Sequence, residues 1–513
     1  MHDYSSLQNG SDIRGISLEA VGGKPVNLTN EAARDIGAAF GVWLSERTQK
    51  KPEALKVAIG RDSRITGEAL SRAVAEGLSA VGVSAYIAGM ASTPAMFMCC
   101  AEDENPFDGG IMITASHLPY ERNGAKFFTK DSGLEKADIK KLLELAGEGS
   151  EKLSANAQSG SISVCDVMAS YISGLKKRIL DTLELPDDAK PFEGMKIIVD
   201  AGNGAGGFFA ERLLLPLGAD IDGSLYLEPD GMFPNHQPNP ENAKAMECIT
   251  HAVIESRADF GIVFDTDVDR AGAVLPDGKG GALALDRNRL IAIMTAILRR
   301  QYGPITVVTD SITSTGLAEF IENLGCRHHR FKRGYRNVIG EAQRLMREGE
   351  KAIFAMETSG HGALYENYFL DDGAYIIVKL LIELVRARCE GSSLTDLIKN
   401  LREPAESAEA RLPVGCPDFA PLTAAVLEAV EKHFGSLEGF SVVPNNYEGV
   451  RVNADKSHGD GWFLIRRSLH DPLMPTNIES DSEGGIKLIA AALVKCLGSF
   501  AELDISSLEA LMK

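Results

Sequence analysis

Thr114-Ala115-Ser116-His117-Leu118-Pro119 follows the apolar run Gly110–Ile113, which reads as a buried strand. A hydroxyl on the turn after such a strand is presented to solvent and to ligand, so Ser116 is a candidate nucleophile. The adjacent His117 can donate to a phosphate or handle a proton. Asn123-Gly124-Ala125-Lys126 reads as a tight turn that adds a cation. Further on, Asp265-Thr266-Asp267-Val268-Asp269-Arg270 places three carboxylates at alternate positions. Like charges that close repel, so if they face inward they require a cation, and oxygen-only donors select a hard ion such as Mg²⁺. An EF-hand loop is excluded: its sixth position would be Arg270 instead of Gly, and its twelfth Pro276 instead of Glu.

Two more segments have the right functional groups. Glu357-Thr358-Ser359-Gly360-His361-Gly362 puts a carboxylate, hydroxyls and an imidazole around a glycine turn, a set that suits the hydroxyl groups of a sugar. Arg466-Arg467-Ser468-Leu469-His470-Asp471-Pro472 can hold a phosphate through charge-assisted hydrogen bonds. Asp12-Ile13-Arg14-Gly15, Gly60-Arg61-Asp62-Ser63-Arg64 and Lys332-Arg333-Gly334-Tyr335-Arg336 are smaller charged clusters. Each segment taken alone is compatible with a solvated surface turn.

The elements around them share a form. Apolar runs at Leu55–Ile59, Gly110–Ile113, Met195–Val199, Phe260–Phe264, Ile305–Thr309 and Ala352–Met356 each stop at a polar segment. Helix-spaced stretches such as Glu31–Arg47 and Gly67–Val81 alternate with them, which predicts α/β modules with mostly parallel sheets. In such sheets, ligands bind beyond the carboxyl ends of the strands. Gly147–Ser163 and Glu403–Pro413 read as linkers, the first from its Ser, Gly and Glu content, the second from its charges and two prolines. The last hundred or so residues read as an α+β module with a smaller antiparallel sheet.

The order of these loops is more telling than any one of them. A phosphorylatable serine, a carboxylate loop, a hydroxyl-reading loop and an anion loop appear once each in successive modules. In this the chain resembles the α-D-phosphohexomutase superfamily of phosphoglucomutases and phosphomannomutases, from Asp12 to Pro472. Asp230-Gly231-Met232-Phe233-Pro234-Asn235-His236-Gln237-Pro238-Asn239-Pro240 also looks like a family segment.

The resemblance implies three successive α/β domains with mixed, mostly parallel sheets, plus a C-terminal α+β domain, around a central cleft. The expected bounds are 1–160 for the phosphoserine domain, 161–300 for the metal-binding domain, 301–405 for the sugar-binding domain and 406–513 for the phosphate-binding domain. It implies phosphoryl transfer from Ser116 to a hexose monophosphate, with a sugar 1,6-bisphosphate as intermediate and activator. Mg²⁺ would be held by Asp265, Asp267, Asp269 and the phosphorylated Ser116. Arg14, His117, Lys126 and Arg270 would serve the reacting group, with Lys126 the first choice for proton transfer. Lys332, Glu357, Ser359, His361, Arg466 and Ser468, with Arg467 and His470 beside them, would bind the phosphosugar.

The chain also departs from the family pattern. Leu118 stands where Asn usually follows Ser-His. Thr266 and Val268 replace smaller residues between the aspartates, and Thr358 lies at a variable position of the sugar loop. Leu469-His470 replaces the usual pair ending in Thr in the phosphate loop. A weakened grip there leaves open a second reading, a sugar-bisphosphate synthase that releases glucose 1,6-bisphosphate after loading from a donor such as fructose 1,6-bisphosphate. Glucose and mannose both suit a Glu-Ser pair.

Bulk properties narrow the partners. The formal charge of −19 argues against wholesale binding to nucleic acid or anionic membrane, while leaving room for a basic pocket. The eight cysteines are scattered without a C-x-x-C spacing, as expected of free thiols in a reducing compartment. The start shows no basic region followed by an apolar run, and no stretch approaches a membrane span, so the expectation is a cytoplasmic protein. Its expected partner is a phosphosugar, and either a monomer or a homodimer is compatible with the sequence.

Overall fold

The computed structural model describes residues 2–19, 23–101, 107–155, 157–416, 418–468 and 471–513. The chain divides into two compact units. The first comprises Met1–Asp286 and Ser359–Asp396, and the second Arg287–Thr358 and Leu397–Lys513.

The first unit opens with a seven-stranded sheet: β1 (Gln8–Asn9), β2 (Asp12–Ile16), β3 (Lys56–Arg61), β4 (Ser84–Met90), β5 (Gly109–Ile113), β6 (Arg122–Thr129) and β7 (Ile162–Val164). Their order is β1-β2-β6-β5-β3-β4-β7. Only β5-β3-β4-β7 is parallel; β1, β2, β6 and β5 pair antiparallel. The helices Asn30–Thr48 and Gly67–Ala80 cover one face, with Phe40, Trp43, Leu70, Val74 and Leu78 in the core beside Val57, Ile59 and Ile111. Two glycines let these helices touch: a Cβ on Gly37 would meet the Val74 carbonyl at 2.3 Å, and one on Gly77 the Arg34 carbonyl at 2.0 Å.

The next sheet contains β8 (Ile197–Asp200), β9 (Phe260–Phe264), β10 (Ala271–Pro276) and β11 (Ala282–Leu285), in the order β11-β10-β9-β8. Here β8 and β9 are parallel, whereas β9-β10-β11 is an antiparallel meander. The expectation of mostly parallel sheets therefore fails for this module. Short connections such as Asp265–Arg270 and Asp277–Gly281 suffice for antiparallel neighbours, whereas parallel ones need a long crossover.

The second unit begins with a parallel set, β13-β12-β14, formed by β12 (Thr306–Thr309), β13 (Arg327–Arg330) and β14 (Phe354–Met356). Strand β15 (Gly362–Leu364) belongs to the first unit. The second unit ends in a five-stranded antiparallel sheet of β16 (Glu406–Pro413), β17 (Phe440–Val442), β18 (Val450–Ala454), β19 (Gly461–Ile465) and β20 (Leu473–Ser480), ordered β16-β20-β19-β18-β17. The helices Phe419–Phe434 and Gly485–Leu497 bury Val426, Val430, Ile489 and Leu493 in its core.

Both segments read as linkers carry structure. Glu406–Pro413 is the edge strand β16, with Ala410 and Leu412 buried and Ser407, Glu409 and Arg411 outward. Its two-residue alternation outweighs its charge, and Pro413 is tolerated because an edge strand has one unpaired side. Gly147–Ser163 contains the turn of helix Ser150–Leu153 and the start of β7. Asn123–Lys126, read as a tight turn, lies inside β6. Gly124 is required there, since a Cβ would lie 2.1 Å from the Ile13 carbonyl of β2.

Candidate functional site

The serine loop leaves β5 at Thr114, and backbone and side chain both fix its shape. Ser116 has φ +50°, in the left-handed region that a non-glycine residue enters only at a cost. Several contacts offset that cost. The Ser116 N–H donates to Thr114 Oγ1 at 2.9 Å. Arg64, buried at 1% exposure, donates to the carbonyls of Ser116, Leu118, Pro119 and Arg122. Arg14 pairs with Asp12 Oδ2 at 2.9 Å and donates to the Thr114 carbonyl. Two of the three smaller charged clusters read from the sequence thus serve as braces: Arg64 cages the loop and Arg14 anchors its start.

The carboxylate loop leaves β9 at Asp265. Asp265, Asp267 and Asp269 are buried, and one oxygen of each lies within 4.8 Å of the others. Val268 between them has φ +66° and is fully buried, a second strained residue. Two cations face the three carboxylates. Lys126 Nζ contacts Asp269 and lies 3.3 Å from Asp267. Arg270 Nε lies 3.2 Å from Asp265 Oδ2.

Arg270 also joins this loop to the serine. Its Nη2 donates to Ser116 Oγ at 3.1 Å and to His117 Nδ1 at 2.6 Å, and its Nη1 to Asn239 Oδ1 at 3.2 Å. Ser116 Oγ in turn donates to Asp265 Oδ2 at 3.2 Å. Burial first, and then the Arg270 charge, push the His117 pKa down to about 3, so the ring is neutral near pH 7. Because a guanidinium can only donate, Nδ1 of that neutral ring is the acceptor and Nε2 carries the proton. His117 therefore turns its acceptor nitrogen toward Arg270 and, at 3.3 Å, toward Ser116 Oγ, and keeps Nε2–H as a donor.

His361 and Ser359 complete the first unit's set. Ser359 is buried. His361 Nδ1 lies 2.5 Å from Asp371 Oδ2, whose other oxygen accepts from the Gly362 N–H at 3.0 Å. Burial opposes charging of His361, but Asp371 outweighs it and raises the pKa to about 9. Asp371 lies in the run Asp371-Asp372-Gly373, an acidic pair opening a helix, which sequence reading passed over.

The triad suits a hard divalent ion. Its donors are all oxygens. Asp267 Oδ1, Asp269 Oδ1 and Thr266 Oγ1 are buried without a hydrogen-bond partner, and two cations leave the three carboxylates with excess negative charge. Burial and the charges of Asp269 and Asp267 raise the Asp265 pKa, a repulsion that a bound cation relieves.

In the second unit, Glu357 is buried and its Oε1 accepts from the Gly334 N–H at 2.6 Å. Lys332 is exposed, its Nζ 5.8 Å from the Phe331 ring. Arg466 is buried, held by its N–H to the Pro475 carbonyl at 3.1 Å, with Nη1 3.8 Å from Glu448 Oε1. Glu448 Oε2 accepts from Ser311 Oγ at 2.5 Å and the Arg333 N–H at 3.1 Å. Asp310, fully buried, accepts from Thr358 Oγ1 at 2.7 Å. Arg467 is exposed, and Ser468 Oγ accepts from the Asp471 N–H at 3.2 Å. The expected contributions of His470 and Leu469 lie outside the described residues. Glu448 carried no sequence signal, because it sits alone in a polar turn before β18.

Known proteins show the same organisation. Three family models match in succession: the phosphoglucomutase/phosphomannomutase alpha/beta/alpha domain I over residues 6–152, domain II over 169–279 and domain III over 286–404. A phosphoglucosamine mutase of Caldicellulosiruptor bescii is 30% identical over 480 residues, covering 92% of this chain and 96% of that protein. A phosphoglucomutase/phosphomannomutase of Thermococcus kodakarensis is 30% identical over 493 residues, covering 94% and 98%. The crystal structure of a phosphoglucomutase/phosphomannomutase family protein from Burkholderia thailandensis superposes with a TM-score of 0.76 at 26% identity, covering 96% of this chain and 97% of that one. The chain belongs to the phosphoglucomutase/phosphomannomutase family, within the α-D-phosphohexomutase superfamily.

Proposed function

We propose that this enzyme interconverts hexose 1-phosphate and hexose 6-phosphate, with glucose or mannose as the sugar, through a phosphoserine at Ser116 and a sugar 1,6-bisphosphate. The observation that carries this reading is the position of Ser116 Oγ, 3.1 Å from Arg270 Nη2 and 3.2 Å from Asp265 Oδ2, against the buried triad. A hydroxyl placed between a cation and a metal-binding carboxylate suits a residue that carries a phosphoryl group.

In the first half-reaction the bond between phosphorus and Ser116 Oγ breaks, and a bond from phosphorus to a sugar hydroxyl oxygen forms. The hydroxyl loses its proton and Ser116 Oγ gains one, so a single residue can return what it gives. Lys126 takes that role in this reading. Arg270, whose Nη2 already donates to Ser116 Oγ, would meet the phosphoryl oxygens where charge develops, with His117 as a further donor. Asp265, Asp267 and Asp269 would hold Mg²⁺ together with the phosphoserine, and the ion would neutralise phosphoryl charge. In the second half-reaction the bisphosphate presents its other phosphate and Ser116 is rephosphorylated. Glu357, Ser359 and His361 are the proposed sugar-hydroxyl contacts. Lys332, Arg466, Arg467, Ser468 and His470 are the proposed contacts of the phosphosugar's remaining groups, the phosphate that is not transferred above all.

The relatives named above are mutases, which favours isomerisation over release of the bisphosphate. The test is product analysis with glucose 1-phosphate, mannose 1-phosphate and glucosamine 1-phosphate, with and without a catalytic amount of bisphosphate. The expected product is the 6-phosphate of glucose or mannose. Stoichiometric build-up of glucose 1,6-bisphosphate would overturn the mutase reading, and turnover of glucosamine 1-phosphate alone would overturn the sugar assignment.

A further inference from the structure

Thr93 opens the buried helix Thr93–Ala101 and has no part in the serine loop, yet it grips the carboxylate loop at two points. Its N–H donates to the Asp267 carbonyl at 2.8 Å, and its hydroxyl donates to Asp267 Oδ2 at 2.5 Å. Thr93 is 4% exposed and Asp267 fully buried, so no solvent competes for these bonds. They bracket a side chain whose other oxygen, Oδ1, is buried with no hydrogen-bond partner. They also fix the peptide just before Val268, the residue held at φ +66°. A strained conformation persists only where its surroundings over-determine it.

We propose that Thr93 is a positioning residue for the divalent cation. Its hydroxyl, together with Lys126 Nζ at 3.3 Å, takes Asp267 Oδ2 and leaves Oδ1 for the ion, while its N–H holds the loop in the conformation that aligns Asp265, Asp267 and Asp269. This rests on the metal reading of the triad. The contact spans 174 residues of sequence, from the first sheet's module to the second's. It thereby ties the loop that binds the ion to the module that carries Ser116.

The test is Mn²⁺ binding to the full chain, measured by electron paramagnetic resonance, in Thr93→Val, Thr93→Ser and Thr93→Ala. Val keeps the volume and the N–H but drops the hydroxyl, and Ala serves in its place if the Val chain does not fold. Loss of an outer hydrogen bond to a metal ligand is expected to weaken Mn²⁺ binding by about 10- to 100-fold. Ser, which keeps the hydroxyl, is expected to stay within about threefold of wild type. In an Asp267→Asn background, removing the Thr93 hydroxyl should add little further loss, because its effect passes through Asp267. Wild-type affinity in the hydroxyl-free chains overturns the proposal, as does a Ser chain as weak as they are, since packing alone would then explain the loss. A wild-type chain that binds no Mn²⁺ overturns the metal reading itself, and this inference with it.

Discussion

The serine–aspartate cluster of the first unit and the arginine loop of the second treat charge in opposite ways. In the first, each aspartate faces a cation. Ser116, Lys126 and Arg270 are cross-linked to partners 143 to 154 residues away. In the second, Arg466 has a carboxylate only at 3.8 Å, while Arg467 and Lys332 are exposed. The difference suits the two tasks proposed above. Phosphoryl transfer needs groups held still before the charge develops. Gripping a phosphate that must arrive and leave needs cations that are not already neutralised.

This contrast can be broken experimentally, and the largest effect belongs to the committed cluster. Ser116→Ala should lower turnover by on the order of 10⁴-fold or more, since the phosphoryl carrier is lost; turnover with glucose 1-phosphate measures it, and appreciable residual activity would remove the phosphoserine. Asp269→Asn should lower kcat by about 10²- to 10³-fold, with a similar collapse of the wild-type enzyme in a chelator. Full activity in the chelator would leave the triad with a purely structural role.

The uncommitted loop should respond in binding. Arg466→Ala should raise KM for the sugar phosphate by about 10- to 100-fold, with a smaller change in kcat, the signature of a contact made equally in ground and transition states. Arg467→Ala should raise KM in the same direction but less, by about threefold, because water competes for an exposed cation. An equal fall in kcat for both variants would erase the distinction between the two regions.

The smallest effect sharpens the comparison away from the chemistry. His236 Nε2 pairs with Asp200 Oδ2 at 2.9 Å, both side chains fully buried. Burial opposes charging of His236, but the hydrogen bond and charge of Asp200 prevail and raise its pKa above 6.5. A raised histidine contributes stability that is complete below the unfolded value of 6.5 and is lost as pH rises through the folded value. Urea midpoints should therefore fall between pH 6 and 9 in the wild type. His236→Gln should cost about 3 kcal/mol at the acid end and flatten that slope. Parallel slopes in the two chains would show that the pair carries no charge-dependent stability.

The groups that gather around Ser116 were legible because their side-chain chemistry is local. Ser116, the three aspartates and Arg270 sit on short loops after apolar runs, and a loop's residue types survive any detail of packing. The apolar runs likewise placed the strands Gly109–Ile113 and Phe260–Phe264 close to their final bounds. Sequence reading failed where signals conflicted: the charges and prolines of Glu403–Pro413 masked the alternation of Ala408, Ala410 and Leu412, and Asn123-Gly124 looked like a turn inside what became β6.

Sequence by itself determined which groups are available for phosphoryl chemistry and their order along the chain. Tertiary structure alone decided what fixes them: Arg64 around the serine loop, Thr93 on Asp267, Asp371 on His361 and Glu448 beside Arg466. Thr93, Asp371 and Glu448 have no periodicity or motif of their own, and the charged cluster around Arg64 does not say what it grips. Their meaning comes from a partner 10 to 174 residues away, which only the packing of sheets and helices brings within hydrogen-bond reach.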